Sequence, residues 1–212
     1  MQILLETKNL TIEYKSIKEG DNSSLIAVND VNLKIYAGEI YALAGESGCG
    51  KSTLAKSITK LVLPKSGDII FEEKSILTHD KKSKKLYPKN VQMVFQNPYS
   101  SLNPYMNISY IISEGLHFKS KDILDKEIID VMNLVGLDPS KRFCYPSEFS
   151  GGERQKIAIA RALIQKTEII LFDEATSALD NETQEKMPQK HCVFSKHQEF
   201  FPYIRFHNLR RR

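Results

Sequence analysis

The segment GESGCGKST, at residues 45–53, could bind phosphate groups. It fits the pattern G-x-x-x-x-G-K-[ST], in which glycines let backbone N–H groups turn toward phosphate oxygens. A helix that begins at this point would add its positive end to the same site. Lys51 supplies a cation for the terminal phosphates, and the Ser52 hydroxyl can bind Mg²⁺. The predicted phosphate loop consists of Gly45, Glu46, Ser47, Gly48, Cys49, Gly50, Lys51, Ser52 and Thr53, with Cys49 as a small spacer.

Two adjacent carboxylates, Asp173 and Glu174, follow the apolar run IILF. A carboxylate at the end of a buried strand can reach a bound metal ion, directly or through water. The next carboxylate can orient or deprotonate an attacking water molecule. Together with the phosphate loop, the pair predicts an ATPase or a GTPase. In this hypothesis Asp173 and Ser52 bind the metal, while Glu174 and Lys51 are catalytic.

These residues require a strand before each motif and a helix after the phosphate loop, and the sequence predicts both. IYALA precedes the loop, a helical pattern follows it, and EIILFDE is typical of a buried strand. Upstream, LLETKNLTIEY and IAVNDVNLKIY alternate apolar and polar residues, which predicts two antiparallel strands. GDIIFEE and VQMVF are further strand candidates. Apolar residues at helical spacing predict a helical insert over about 97–148, in which the second helix ends near Gly136 and Pro139.

A third motif, FSGGERQKIAIARAL at residues 149–163, places two glycines after a predicted N-cap, Ser150. Such a helix N-terminus is a second anion site. Here the chain resembles the ATP-binding subunits of ABC transporters. The resemblance implies that Ser150, Gly151, Gly152 and Glu153 bind an ATP held by the other subunit. The family usually has Gln at the position of Glu153, and we expect little effect from this difference.

Three further matches extend the resemblance. Gln96 lies where the family has a glutamine that binds Mg²⁺ and contacts the membrane subunits. Tyr14 lies where the family stacks an aromatic ring on adenine, although a core aromatic at a strand end is the alternative. Asp180 ends SALD, which matches a segment that crosses the dimer interface. The resemblance implies an α/β fold of the P-loop NTPase, ABC-type ATPase class, with an N-terminal antiparallel β subdomain, a helical insert subdomain, and ATP and Mg²⁺ as cofactors.

Two segments, VFQNPYSSLNPYMNI and FCYPSEFSGGERQKIAIARAL, look like those of ATPases from peptide and nickel importers. Within that branch the chain is more similar to the second, F-type ATPase. The resemblance implies ATP hydrolysis that powers import of peptides or nickel. It also implies a second ABC ATPase subunit in a homo- or heterodimer, two membrane permease subunits and an external substrate-binding protein. We therefore expect a peripheral protein on the cytoplasmic face of the inner membrane.

The composition favours a soluble globular protein, with 41% hydrophobic and 26% charged residues. The sequence has no run of about 18 apolar residues, which a membrane-spanning helix would need. The first ten residues lack the basic stretch of a signal peptide. Three scattered cysteines, Cys49, Cys144 and Cys192, indicate a reducing cytosol. Residues 181–212 contain 7 Lys/Arg and 3 Asp/Glu and so account for the whole net charge of +4, which argues against a nucleic-acid partner.

The resemblance ends near Thr183, which predicts an ABC ATP-binding domain over 1–183 and an atypical tail over 184–212. The tail meets Pro188 early and then shows no helical or strand period. We hypothesise that residues after about Thr183 are out of frame, through a mutation or a sequencing error, and otherwise expect the tail to be disordered.

The atypical tail leaves two alternatives to the transport function open. Neither His197 nor His207 fits the family's Ser-His-Asp histidine well, and both are expected in an unstructured tail. If the tail is genuine, we expect the sheet to lack its last strands. The protein would then be a nucleotide-binding relic that binds ATP without turnover. A soluble ABC ATPase outside transport is a further alternative.

Overall fold

The computed structural model of the chain describes residues 2–15, 23–78, 87–116, 121–173, 192–194 and 205–208. The described strands are β1 (Ile3–Lys15), β2 (Ser24–Tyr36), β3 (Tyr41–Ala44), β4 (Ser66–Phe71), β5 (Lys74–Ser75), β6 (Val91–Val94), β7 (Ile169–Phe172), β8 (Cys192–Phe194) and β9 (Arg205–Asn208). The described helices are α1 (Lys51–Ile58), α2 (Ile108–Ser113), α3 (Lys121–Leu134) and α4 (Gly151–Ile164), and short 3-10 helices occupy Pro98–Ser100, Pro139–Phe143 and Pro146–Glu148.

The N-terminal sheet is antiparallel, which confirms the prediction from the alternating sequences. Its strand order is β2-β1-β4-β5, so β1 pairs with β2 on one side and β4 on the other. The β1–β2 register changes between Ile12, which lies opposite Val28, and Glu13, which lies opposite Ile26. Ala27 is therefore the extra residue of a β-bulge, a feature that bends a strand locally.

The remaining described strands pair in parallel. Strand β7 lies between β6 and β8, while β3 pairs with β9. Strands β3 and β7 are buried along their whole length, as is usual for parallel strands that are covered on both faces. Ligands bind beyond the carboxyl ends of such strands in open α/β sheets. The carboxyl ends of β3, β6 and β7 lead directly to the phosphate loop, the segment with Gln96, and Asp173.

Strand β7 joins two hydrophobic clusters. Ile169 and Leu171 pack with the N-terminal sheet and α1, while Ile170 and Phe172 pack with helices α2 to α4. This division follows from the strand itself, because successive side chains point to opposite faces. Each buried side chain of this size contributes about 1.5–3 kcal/mol. Both halves of the molecule therefore hold the strand that ends just before Asp173.

The helical region confirms the predicted helices between residues 97 and 164. Helix α2 begins at Ile108, and the side chain of its N-cap, Asn107, accepts a hydrogen bond from the Tyr110 backbone N–H. Helix α3 ends at Leu134, and Gly136 follows with a φ of 68°, which suits a glycine just after a helix. Helix α4 begins at Gly151, directly after the predicted N-cap, Ser150. None of the described helices is long and apolar enough to cross a bilayer.

Strands β8 and β9 correct one expectation about the tail. Within the described residues, β8 extends the sheet beside β7, and β9 pairs with β3 in a register that places His207 opposite Leu43. The expectation that His207 is unstructured is therefore wrong, because His207 lies in β9. A short strand can pair through its backbone against a buried neighbour, so it needs no apolar period of its own. His197 lies outside the described residues.

Candidate functional site

The phosphate loop lies between strand β3 and helix α1. Its residues 45–48 are exposed, and Lys51 is partly buried. The Lys51 ammonium folds back over the loop, where it donates to the carbonyl oxygens of Gly45 and Glu46 at 2.6 Å each. It also donates to Cys49 Sγ at 3.2 Å. The loop therefore surrounds a positive charge, and phosphate oxygens could replace the loop carbonyl oxygens as acceptors for the Lys51 ammonium.

Helix α1 begins without a side-chain cap. Its N-cap is Gly50, which makes no capping hydrogen bond, and the first turn contains no acidic residue. The first backbone N–H groups of a helix have no partner within the helix, and its dipole attracts negative charge. Together with Lys51, this helix end fits a phosphate group.

Gly50 is required by both conformation and space. Its φ of +97° lies in the region that favours glycine, and an added Cβ would lie 2.2 Å from the Ala27 carbonyl oxygen. Ala27 is the bulged residue of β2, so the bulge places its carbonyl oxygen against the loop. The motif alone requires a glycine here, and the structure adds a contact with the N-terminal sheet as a second reason.

Two of the predicted metal ligands meet at the carboxyl ends of the strands. The Ser52 hydroxyl donates to Asp173 Oδ1 at 2.7 Å, across 121 residues of sequence. The Asp173 backbone N–H donates to the Val94 carbonyl oxygen at 3.0 Å, which places the residue beside the end of β6. A hydroxyl that donates its hydrogen keeps its oxygen lone pairs, and hydroxyl and carboxylate oxygens are suitable Mg²⁺ ligands. The pair therefore fits a magnesium ion beside the phosphate loop.

The other predicted catalytic and metal-binding residues are less completely placed. Gln96 is exposed and lies two residues beyond the end of β6, at the same edge as Asp173. Strand β6 pairs with β7, and the role of Gln96 as a metal ligand stays a prediction. Glu174 and Asp180 lie outside the described residues, so their roles stay predictions.

Tyr14 lies near the end of β1, opposite Leu25 of β2. Its side chain is 41% exposed, which is the exposure of a surface residue rather than a core aromatic. The Ile12–Val28 pair precedes it by two residues, or about 7 Å along the strand, and Val28 lies 3.2 Å from the Cβ position of Gly50. Tyr14 thus lies on the strand whose Ile12–Val28 pair is beside the phosphate loop, and its contact with adenine stays a prediction.

The start of helix α4, which is the second predicted anion site, faces solvent. Ser150, Gly151 and Gly152 are exposed, and a Cβ on Gly152 would meet no atom within 4 Å. The Glu153 backbone N–H donates to Ser150 Oγ at 3.3 Å, and the Ser150 backbone N–H donates to Glu153 Oε2 at 2.8 Å. These reciprocal bonds form a capping box and leave the glycine N–H groups open to a ligand from outside.

Glu153 closes the capping box, a structural role that the sequence analysis did not predict. Hydrogen bonds from the Ser150 backbone N–H and then from its hydroxyl hold the pKa of Glu153 below its ordinary value of 4.5. The expectation that Glu in place of Gln has little effect agrees with the capping geometry, since either residue can close the box.

Three residues that the sequence analysis did not single out connect helix α4 with the segment around residues 99–101. They are Tyr99, Arg154 and Arg161. Tyr99 lies 55 residues before Arg154, in a segment with no period that relates the two. Only the packing of the 3-10 helix Pro98–Ser100 against α4 brings them together.

The comparison with known families decides the assignment. Residues 28–177 match the profile described as ABC transporter, and this range includes the phosphate loop, Ser52, Asp173 and the Ser150 turn. The chain belongs to the ABC transporter family. We call Ser150–Gly152 the signature turn, after the family motif that it resembles, and its contact with a nucleotide stays a prediction.

Relatives within the family include peptide-transport proteins. The ABC protein is 44% identical over 190 residues to the oligopeptide transport ATP-binding protein OppF of Haemophilus influenzae, a match that covers 84% of the chain and 57% of OppF. It is 40% identical over 183 residues to the dipeptide transport ATP-binding protein DppF of Lactococcus lactis, with 84% of the chain and 58% of DppF covered. The chain thus spans somewhat more than half the length of these relatives.

A solved structure supports the fold. The ATP-binding cassette MJ0796, determined as a dimer in a post-hydrolysis state with ADP and Pi, matches with a TM-score of 0.78 and 28% identity. The match covers 92% of the ABC protein and 88% of that cassette. The predicted fold class, an ABC-type P-loop ATPase, is confirmed.

Proposed function

We propose that this chain is the ATP-binding and ATP-hydrolysing subunit of an ABC importer for peptides. The observation that carries the proposal is the 2.7 Å hydrogen bond between Ser52 and Asp173, because it joins the phosphate loop to the strand that leads to Glu174. The similarity to OppF and DppF supports peptides as the cargo, with nickel as the less supported alternative. The same relatives favour transport over a soluble ABC ATPase.

The residues divide the chemistry among them. Lys51 and the N-terminus of α1 bind and orient the terminal phosphates of ATP. Ser52, Asp173 and Gln96 are the proposed ligands of Mg²⁺, which supplies positive charge beside the phosphates. Glu174 orients or deprotonates the attacking water molecule.

The exposed signature turn supports a second ATPase subunit as a partner. Its glycine N–H groups face solvent, so a phosphate group that binds there can come from a nucleotide on another chain. The dimeric state of MJ0796 is consistent with this arrangement. The remaining proposed partners are two permease subunits and an external substrate-binding protein, with the ATPase on the cytoplasmic face of the membrane.

Nucleotide titration of the purified chain tests the proposed site. Lys51→Ala removes a charge-assisted phosphate contact and should weaken ATP binding by about 10–100-fold, since such contacts contribute about 1.5–3 kcal/mol. Lys56→Ala is the matched control, because it removes the same charge from the same helix about 7.5 Å further along the axis. Equal affinities for the two variants would contradict the proposed phosphate site.

Uptake measurements test the cargo. A bacterial strain that lacks only the F-type ATPase of its peptide importer would express this chain, and uptake of a labelled tripeptide and of nickel would be followed. The proposal expects ATP-dependent tripeptide uptake with the wild-type chain and none with Lys51→Ala. Restoration of nickel uptake without tripeptide uptake would contradict peptides as the cargo and support nickel.

The domain division and the reading frame after about Thr183 also remain proposals. Pro188, which interrupts the expected helix, supports a break in frame, although β8 and β9 show that parts of this segment form strands. Sequencing of the coding DNA from the Asp180 codon onward is the test. Another frame that encodes a long helix followed by Ser-His-Asp would support the break, and the absence of such a frame would remove it.

A further inference from the structure

Tyr99 lies directly beside the signature turn. Its hydroxyl oxygen is 3.6 Å from the position that a Cβ on Gly151 would occupy, which is ordinary van der Waals contact. The Arg154 guanidinium lies over the Tyr99 ring, with 4.4 Å between its central carbon and the ring centroid. Tyr99 is nevertheless 62% exposed, so burial in a core does not account for its position.

Arg154 also holds the backbone that leads into the signature turn. Its Nε donates to the Pro146 carbonyl oxygen at 2.7 Å, and its Nη2 donates to the Ser147 carbonyl oxygen at 3.4 Å. These bonds orient the plane of the guanidinium, which is the geometry that stacking on an aromatic ring requires. One side chain therefore contacts Tyr99 on one side and the 3-10 helix before Ser150 on the other.

A second arginine of helix α4 fixes the same stretch of chain at another point. Arg161 Nη1 donates to the Ser101 carbonyl oxygen at 2.7 Å and lies 3.6 Å from Glu114 Oε2. Arg154 and Arg161 are two turns apart, or about 10 Å along the helix. The segment that follows Gln96 is thus attached to α4 both beside the signature turn and further along the helix.

We propose that Tyr99 and Arg154 act as a pair that positions the signature turn and ties it to the segment following Gln96. Both are positioning residues, because they act through the backbone of the turn. A displacement of the Gln96 segment then displaces Ser150–Gly152 as well. This inference rests on the proposed function, because it assumes that the signature turn binds the partner subunit's ATP.

Hydrogen exchange on the full chain without nucleotide tests the pair. The Glu153 and Arg154 backbone N–H groups donate to Ser150, the first to Oγ at 3.3 Å and the second to the carbonyl oxygen at 2.9 Å. Their exchange rates therefore report how often the turn opens. The variants are Tyr99→Leu, which removes the ring, and Tyr99→Phe, which keeps it.

Tyr105→Leu is the matched control, because it makes the same change at an aromatic residue that is 89% exposed in the same region. The Leu54 N–H, which donates to the Gly50 carbonyl oxygen at 2.9 Å, serves as an internal reference in the first turn of α1. A cation–π contact at an exposed site predicts about two- to five-fold faster exchange at Glu153 and Arg154 in Tyr99→Leu. Tyr99→Phe and Tyr105→Leu should leave both rates close to those of the wild type.

Equal exchange in Tyr99→Leu and Tyr105→Leu would overturn the proposal. Equal acceleration at Leu54 would also overturn it, because a general loss of stability would then explain the change. Failure of the proposed function is distinguishable, since it appears as a wild-type chain that does not bind ATP. The exchange measurement uses no nucleotide and does not depend on that result.

Discussion

The contact between Gly50 and the bulge of β2 predicts a large effect of Gly50→Ala. The added Cβ would lie 2.2 Å from the Ala27 carbonyl oxygen and 3.2 Å from Val28 Cγ2. Both the φ of +97° and this steric overlap make any side chain at position 50 unfavourable. A left-handed conformation costs about 1–2 kcal/mol for a non-glycine residue, and overpacking costs about 1–3 kcal/mol more. We expect the free energy of unfolding to fall by about 2–5 kcal/mol, a large share of the roughly 5–15 kcal/mol of a typical domain.

Urea unfolding followed by circular dichroism measures this loss, and an ATP titration measures the accompanying change in the loop. Gly152→Ala is the matched control, because its Cβ would meet no atom within 4 Å. It should leave the free energy of unfolding unchanged or slightly higher, since alanine favours a helix more than glycine does. If Gly50→Ala has the stability and the ATP affinity of the wild type, then the loop does not require this contact and the reasoning is refuted.

Three further predictions concern the metal pair and the capping box. Asp173→Asn keeps an acceptor for the Ser52 hydroxyl but loses the negative charge. ATP binding in the presence of Mg²⁺ should therefore weaken by about 10–100-fold, whereas ATP binding in EDTA should stay the same. Equal losses of affinity under both conditions would contradict this prediction. Ser150→Ala removes the capping hydroxyl and should lower the free energy of unfolding by about 1 kcal/mol in urea, whereas Ser150→Thr should lower it much less. The lowered pKa of Glu153 stabilises the fold fully above its ordinary value of 4.5, and this contribution disappears as the pH falls through the lower folded value. Glu153→Gln should remove this part of the acid dependence in unfolding curves between pH 3 and 6, and identical curves would argue against the capping carboxylate.

Much of the fold was predictable because its signals are local. Alternation in LLETKNLTIEY and IAVNDVNLKIY indicated the antiparallel pair β1 and β2. The continuous apolar run IILF indicated a buried parallel strand, and Ser150 indicated the start of α4. In each case neighbouring residues determine which face is buried or which N–H groups are capped.

The tail strands β8 and β9 were not predictable in this way. Their residues have no apolar period, and they gain order by pairing with β7 and β3. The β-bulge at Ala27 was likewise invisible, because a bulge is defined by the partner strand. Pairing partners lie far apart in sequence, so a periodic pattern within one segment does not reveal them.

The sequence by itself determined the chemistry that this ABC protein can offer. GESGCGKST specifies glycines, a lysine and a hydroxyl at the spacing that a phosphate group requires, and FSGGERQ specifies a capped helix start. These properties depend on backbone conformation within a few residues, which explains why the motifs can be read without a structure.

Only the tertiary structure decided which of these groups meet. The Ser52–Asp173 bond, the approach of the Ala27 carbonyl oxygen to Gly50, and the stacking of Arg154 on Tyr99 join distant parts of the chain. Each contact depends on how the sheet and helix α4 pack, because buried side chains such as those of β7 determine the relative positions of the elements. Packing involves many residues at once, so its outcome is a property of the whole fold and not of any single motif.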